Sequence, residues 1–136
     1  MKTNAINAYR TSGVLTADPI TLTTLLYDGA LNAMRRARVE FETGSRVGFV
    51  DSVNRAYMIV GELLATLDMR QGDIPRTLSG VYTYCLRNLV ECTLGDMAKL
   101  AEAEHHIGTV ADAWKQAMAG LNAGDSRAQP GTEAVA

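Results

Sequence analysis

Four stretches of this chain place apolar residues three and four positions apart, and each begins or ends at residues that start or stop helices. This punctuation constrains the fold more than any other feature. Asp18-Pro19 opens the first stretch. Asp is a favoured N-cap, and Pro fits the first helical position because its missing N–H would be unpaired there anyway. Leu22, Leu26, Gly29, Ala33, Ala37 and Phe41 then fall on one helical face, with Thr43-Gly44 as the expected stop. Ser45 can cap a second helix, whose stripe is Val50, Val53, Tyr57, Val60, Leu64 and Leu67, ending at Arg70-Gln71-Gly72. Asp73-Ile74-Pro75 repeats the opening logic, with Asp73 as the capping residue and Pro near the first turn. The third helix carries Leu78, Val81, Tyr82, Cys85, Leu89 and Cys92. After the break at Leu94-Gly95-Asp96, a fourth carries Met97, Leu100, Ile107, Ala111, Trp114, Met118 and Leu121.

No alternating, strand-like run bounded by turn residues occurs. Helices joined by short breaks become antiparallel neighbours, so the expected fold is all-α: an up-down-up-down four-helix bundle over residues 18–122. Residues 123–136 are small, polar and aperiodic and are expected to form a disordered tail. Residues 1–17 are an N-terminal segment in which Tyr9, Val14 and Leu15 supply scattered apolar side chains. A purely solvated tail would not carry them, so this lead-in is expected to be an extended strap that packs on some surface.

With 136 residues the chain suits one domain with a core of its own. A net charge of −2 argues against nucleic acid, which needs a concentrated basic surface. The densest basic run, Arg35-Arg36-Ala37-Arg38, reads as a solvated helix face. The longest apolar stretch, Ala56 to Leu67, is interrupted by Gly61 and Glu62 and is shorter than the roughly 20 residues of a membrane span. Lys2 leads into Thr3-Asn4-Ala5 rather than an apolar signal core, so a cytoplasmic location without membrane insertion is expected.

Reactive chemistry is scarce. Cys85 and Cys92 would sit about 10 Å apart along one helix, too far for a disulfide, and read as small buried thiols. His105 and His106 are adjacent and face different directions. Glu102 and His105 have the Glu-x-x-His spacing of di-metal bundles, but no second pair accompanies them, and a local Glu102–His106 pair is the simpler reading. There is no glycine-rich phosphate loop and no nucleophile elbow. Neither enzymatic activity nor a cofactor is expected.

The second helix is broader in its apolar character than a bundle helix needs. In "AYMIVGELLATL", Met58, Ile59 and Leu63 widen the arc beyond the stripe. Either the helix is central and covered by its own chain, or the extra face is a groove for a partner helix. Asp28-Gly29 inside the first helix is a second oddity, since Gly weakens a helix by about 1 kcal/mol relative to Ala. Close helix packing there, or a partner backbone resting on it, would account for it.

Several motifs together resemble the FliS family of flagellar secretion chaperones. The pattern from Tyr9 through Val14, Thr16-Ala17 and Pro19 resembles its N-terminal motif, and "LLYDGA" at Leu25–Ala30 resembles its first-helix signature. "VYTYCLRNLVE" at Val81–Glu91 is similar to its third-helix pattern, and "ADAW" at Ala111–Trp114 to its fourth. The resemblance implies a four-helix bundle that holds the C-terminal segment of newly made flagellin and masks its polymerisation surface. It further implies delivery to the flagellar type III export gate and, in some members, binding of the flagellar anti-sigma factor. On this resemblance the flagellin-binding set comprises Ile6, Tyr9 and Val14 in the lead-in, Tyr27, Asp28 and Gly29 on the first helix, Ile59, Leu63 and Leu67 on the second, and Tyr82 on the third. Asp at Ile59 or Leu63 would then weaken the client complex while leaving helicity intact. The strap would lie on the groove when it is empty and shift when client arrives. The alternative is a self-associating bundle that acts as an adaptor in flagellar regulation, and a weak homodimer of the free chain is a further expectation.

Overall fold

The computed structural model describes residues 18–128, with side chains described through Leu121; the expected strap at 1–17 and residues 129–136 lie outside the described residues. The described chain forms four α-helices: α1 (Pro19–Glu42), α2 (Arg46–Ala65), α3 (Asp73–Cys92) and α4 (Met97–Ala128), with a short 3-10 turn at Met69–Gln71 before α3. They pack as a ring in which α1 touches α2 and α4, and α3 touches α2 and α4. Cross-helix pairs fix the antiparallel sense of α1 and α4: Thr24 meets Trp114, Asp28 meets Lys115, and Arg38 pairs with Glu104. The expected four-helix bundle is the observed fold.

Most helix ends follow from the signals in the sequence. Asp18 caps α1, its carboxylate accepting the Thr21 N–H at 2.7 Å, and this bond holds the carboxyl below its ordinary range. Ser45 caps α2 by accepting from the Gly48 N–H at 3.2 Å. Three boundaries differ from the sequence reading. First, α2 ends at Ala65, not at Arg70: the Thr66 hydroxyl donates to the Leu63 carbonyl at 2.7 Å, and Asp68 starts a separate turn by binding the Arg70 N–H at 3.1 Å. Second, Gly72, not Asp73, occupies the N-cap of α3, at φ +106°, a conformation that L side chains rarely adopt. Asp73 falls inside the first turn, where its charge complements the helix dipole. Third, α4 continues past Asn122 and through Gly124 to Ala128, two residues short of Pro130.

The core is one contiguous cluster. Ala30, Ala33 and Ala37 on α1 and Ala56 on α2 are fully buried and let those two helices approach closely. Gly48 serves the same seam: a Cβ there would run into the carboxylate of Glu40, which accepts a hydrogen bond from Ser52 at 2.5 Å. The breadth of α2 resolves in favour of cover by its own chain, since Phe49, Val53, Ala56, Ile59, Val60 and Leu63 are all buried. Cys85 and Cys92 are free, buried thiols, both pushed up to about 11 by burial. They are poor nucleophiles at neutral pH.

The Glu102–His106 pair expected from the sequence does not form. Glu102 instead accepts from the Tyr84 hydroxyl at 2.9 Å and faces Lys99 at 3.7 Å, while His106 packs edge-on against the Tyr84 ring. Among the described residues no His, Cys, Asp or Glu group is clustered tightly enough to hold a metal ion. No described helix is long and apolar enough to cross a membrane.

Candidate functional site

The tightly closed core stops short of one end of the bundle. Leu26 and Tyr27 are the first fully buried residues of α1, Leu63 the last of α2, Tyr82 the first of α3 and Ala111 the last described on α4. All five belong to the end at which α1 and α3 begin and α2 finishes. Beyond this layer the apolar side chains are only half-buried. Leu22, Leu67, Leu78 and Trp114 there line a cleft of about 350 Å³, whose floor includes Leu26, Tyr27, Leu63 and Tyr82. Pro19, Thr23 and Thr66 complete the wall. At that corner α2 has ended at Ala65, and the wall is formed by Thr66 and Leu67 beyond it.

Polar groups in the wall are mostly tied to their own helices. The Thr23 hydroxyl donates to the Pro19 carbonyl at 2.8 Å, and Thr66 to Leu63 as described above. The Trp114 indole N–H donates to the Thr24 hydroxyl oxygen at 2.8 Å, and Thr24 passes its own hydrogen to the Ile20 carbonyl at 3.1 Å. At the floor, the Tyr27 and Tyr82 hydroxyls are 2.5 Å apart. They link α1 to α3, helices that are not neighbours in the ring. Burial pushes both phenols above their ordinary value. The Tyr27 ring also packs at a tilt against Trp114, with centroids 6.2 Å apart. The result is an apolar pocket with satisfied walls, suited to apolar side chains of a partner and unsuited to bond-making chemistry.

The residues singled out from sequence separate into four groups. Tyr27, Leu63, Leu67 and Tyr82 converge on the cleft. Ile59 lies at 2 % exposure inside the core, outside the cleft lining. The expectation that Asp at Ile59 or Leu63 would spare the fold conflicts with this burial, because Leu63 at 1 % is a floor residue shared with the core. Asp28 faces α4, where Lys115 binds its carboxylate at 2.7 Å, and the neighbouring Gly29 is half-buried; neither lines the cleft. Ile6, Tyr9 and Val14 lie outside the described residues. Sequence reasoning missed Leu22, Leu26, Leu78 and Trp114 as site residues, treating them as ordinary stripe members. They share a layer toward the same end of the bundle, a placement that no single stripe signals.

The described residues thus form an antiparallel four-helix bundle with an apolar cleft at one end. The family model described as "Flagellar protein FliS" matches residues 2–121, and the chain belongs to that family. It is 36% identical over 108 residues to the flagellar secretion chaperone FliS of Salmonella typhimurium, covering 77% of this chain and 80% of that relative. It is 34% identical over 116 residues to the flagellar secretion chaperone FliS of Bacillus subtilis, covering 85% and 86% respectively. The Escherichia coli chaperone of the same name is 31% identical over 110 residues, covering 79% and 81%. The family's named function is chaperoning, not catalysis.

Proposed function

We propose that this chain is a cytoplasmic flagellin export chaperone that binds the C-terminal segment of flagellin, keeps it from polymerising early and presents it to the flagellar export gate. One observation carries the reading. Tyr27 and Tyr82, from two family-like motifs, converge with Leu63 and Leu67 on one apolar cleft in a chain of the FliS family. An apolar segment that is unstructured when free loses conformational entropy on binding and needs buried apolar surface to offset it. The cleft supplies anchoring pockets for such side chains. The surface outside it and the N-terminal residues Ile6, Tyr9 and Val14 extend the contact. Ile59 supports the floor from beneath rather than touching client, and Asp28 and Gly29 flank the site. An anti-sigma factor is a secondary partner on the same reading.

Calorimetry of the full chain against the C-terminal segment of its host's flagellin tests the proposal. A stoichiometric complex at micromolar concentrations is expected. Absence of binding there, with the chain folded, would remove the proposal. A concentration-dependent dimer without peptide affinity would favour the self-associating adaptor instead.

A further inference from the structure

The two helices that begin at the cleft are held differently. Asp18 caps α1, and the Trp114–Thr24 bond fastens that wall to α4. No side chain caps α3, which starts from Gly72 at φ +106°. None of residues 73–81 is fully buried, and the first side chain of α3 fixed in the core is Tyr82. Gly80 lies just ahead of it. A Cβ at Gly80 would meet nothing within 4 Å, so no close approach requires glycine there. Glycine inside a helix lowers its stability relative to alanine. The opening turns of α3 are thus a less secured wall than α1.

Their apolar face also runs on past the cleft. Leu78 lines the cleft. Ile74 stands one turn earlier on the same helical face, yet it is 75 % exposed. A lone exposed isoleucine is ordinary, but this one prolongs the face that Leu78 presents to an apolar site. We infer that residues 73–80 form a flap, hinged at Gly80, that closes onto the bound segment and buries Ile74 against it. The inference rests on the proposed flagellin-binding role and deepens it, adding a contact residue and a moving part to the same site. Closure takes the backbone at Gly80 away from helical dihedrals, which glycine leaves more readily than a residue with a side chain. Burial of an isoleucine that water otherwise covers draws the flap shut. The capped and clamped α1 is the fixed wall against which the segment is held.

Two variants of the full chain, Ile74→Ala and Gly80→Ala, test the flap beside the unaltered protein. Each is titrated calorimetrically with the flagellin C-terminal segment and unfolded thermally without it. Ile74→Ala removes an exposed side chain, so its thermal midpoint is expected to hold within about two degrees while binding weakens about three- to tenfold. Gly80→Ala fills open space and favours the helix, so its midpoint is expected to rise by a few degrees while binding weakens about threefold or more. A stabilised helix that binds client more weakly is not what a purely structural glycine would give. Affinity equal to that of the unaltered protein in either variant overturns the flap and leaves the chaperone reading standing. A lowered midpoint in Ile74→Ala also overturns it, since Ile74 would then pack on its own chain. If the unaltered protein does not bind the segment at all, the proposed function fails and the flap with it.

Discussion

The indole N–H of Trp114 donates to the hydroxyl oxygen of Thr24 at 2.8 Å, fastening the later part of α4 to the first turns of α1 at the mouth of the cleft. The same ring leans on Tyr27. Trp114 is thus both a wall of the site and a clamp between two helices. Trp114→Phe retains most of the apolar contact but removes the donor. It is expected to lower unfolding free energy by about 1 kcal/mol, read from urea denaturation. An unchanged midpoint would mean the bond contributes nothing in solution.

Ile59 and Leu67 separate fold from site. Ile59 is fully buried, and an unpaired carboxylate there has no compensating partner, so Ile59→Asp is expected to cost several kcal/mol and abolish cooperative unfolding. Leu67 is half-buried at the cleft wall beyond the end of α2. Leu67→Asp is expected to keep the helical circular dichroism signal while weakening peptide binding by about tenfold or more. Calorimetry and circular dichroism on the same samples check both. Native-like stability in Ile59→Asp would show that this face of α2 is open in solution.

These two residues also show how far the sequence could be read. Asp18-Pro19 and Ser45 marked helix starts because capping is local chemistry, legible without the rest of the chain. The stripe of α2 was legible as apolar, but periodicity assigns a residue to a face and cannot say whether another helix covers it. Ile59 was therefore read as client-facing when α2 is closed in by its own bundle. Leu67 lines the cleft not from α2 itself but from past the helix, where the Thr66 and Asp68 hydrogen bonds turn the chain. Leu22, Leu78 and Trp114 meet at the cleft only through the joint placement of several helices, a property that no single segment carries.

The buried thiols provide a pH test. Cys85 and Cys92 are pushed from an ordinary 9.0 to about 11 in the folded chain. An acid whose folded pKa is raised releases its proton more easily when unfolded. Their contribution is accordingly intact below pH 9 and declines as pH rises from about 9 to 11. Thiol titration at pH 8 is expected to detect no fast-reacting cysteine in native protein and both after denaturation. Rapid labelling of native protein would show that α3 opens far more readily than its burial implies.

Asn88 is 1 % exposed, and neither its amide nitrogen nor its oxygen has a hydrogen-bond partner among the described residues. Unsatisfied buried amides are unfavourable. Asn88→Leu is expected to stabilise the fold by about 1–2 kcal/mol, measured as a higher urea midpoint at unchanged slope. A lower midpoint would mean that the amide is satisfied in solution.

Trp114 is the single tryptophan of the chain and lines the cleft, so its emission reports on that site alone. The most direct test of the account is a fluorescence titration of the full protein with the C-terminal segment of flagellin, chosen to lack tryptophan. Filling the cleft with apolar side chains removes water from the indole, so a blue shift that saturates at one segment per chain is expected. Emission that stays constant while calorimetry records a complex would contradict it, placing the client on another surface.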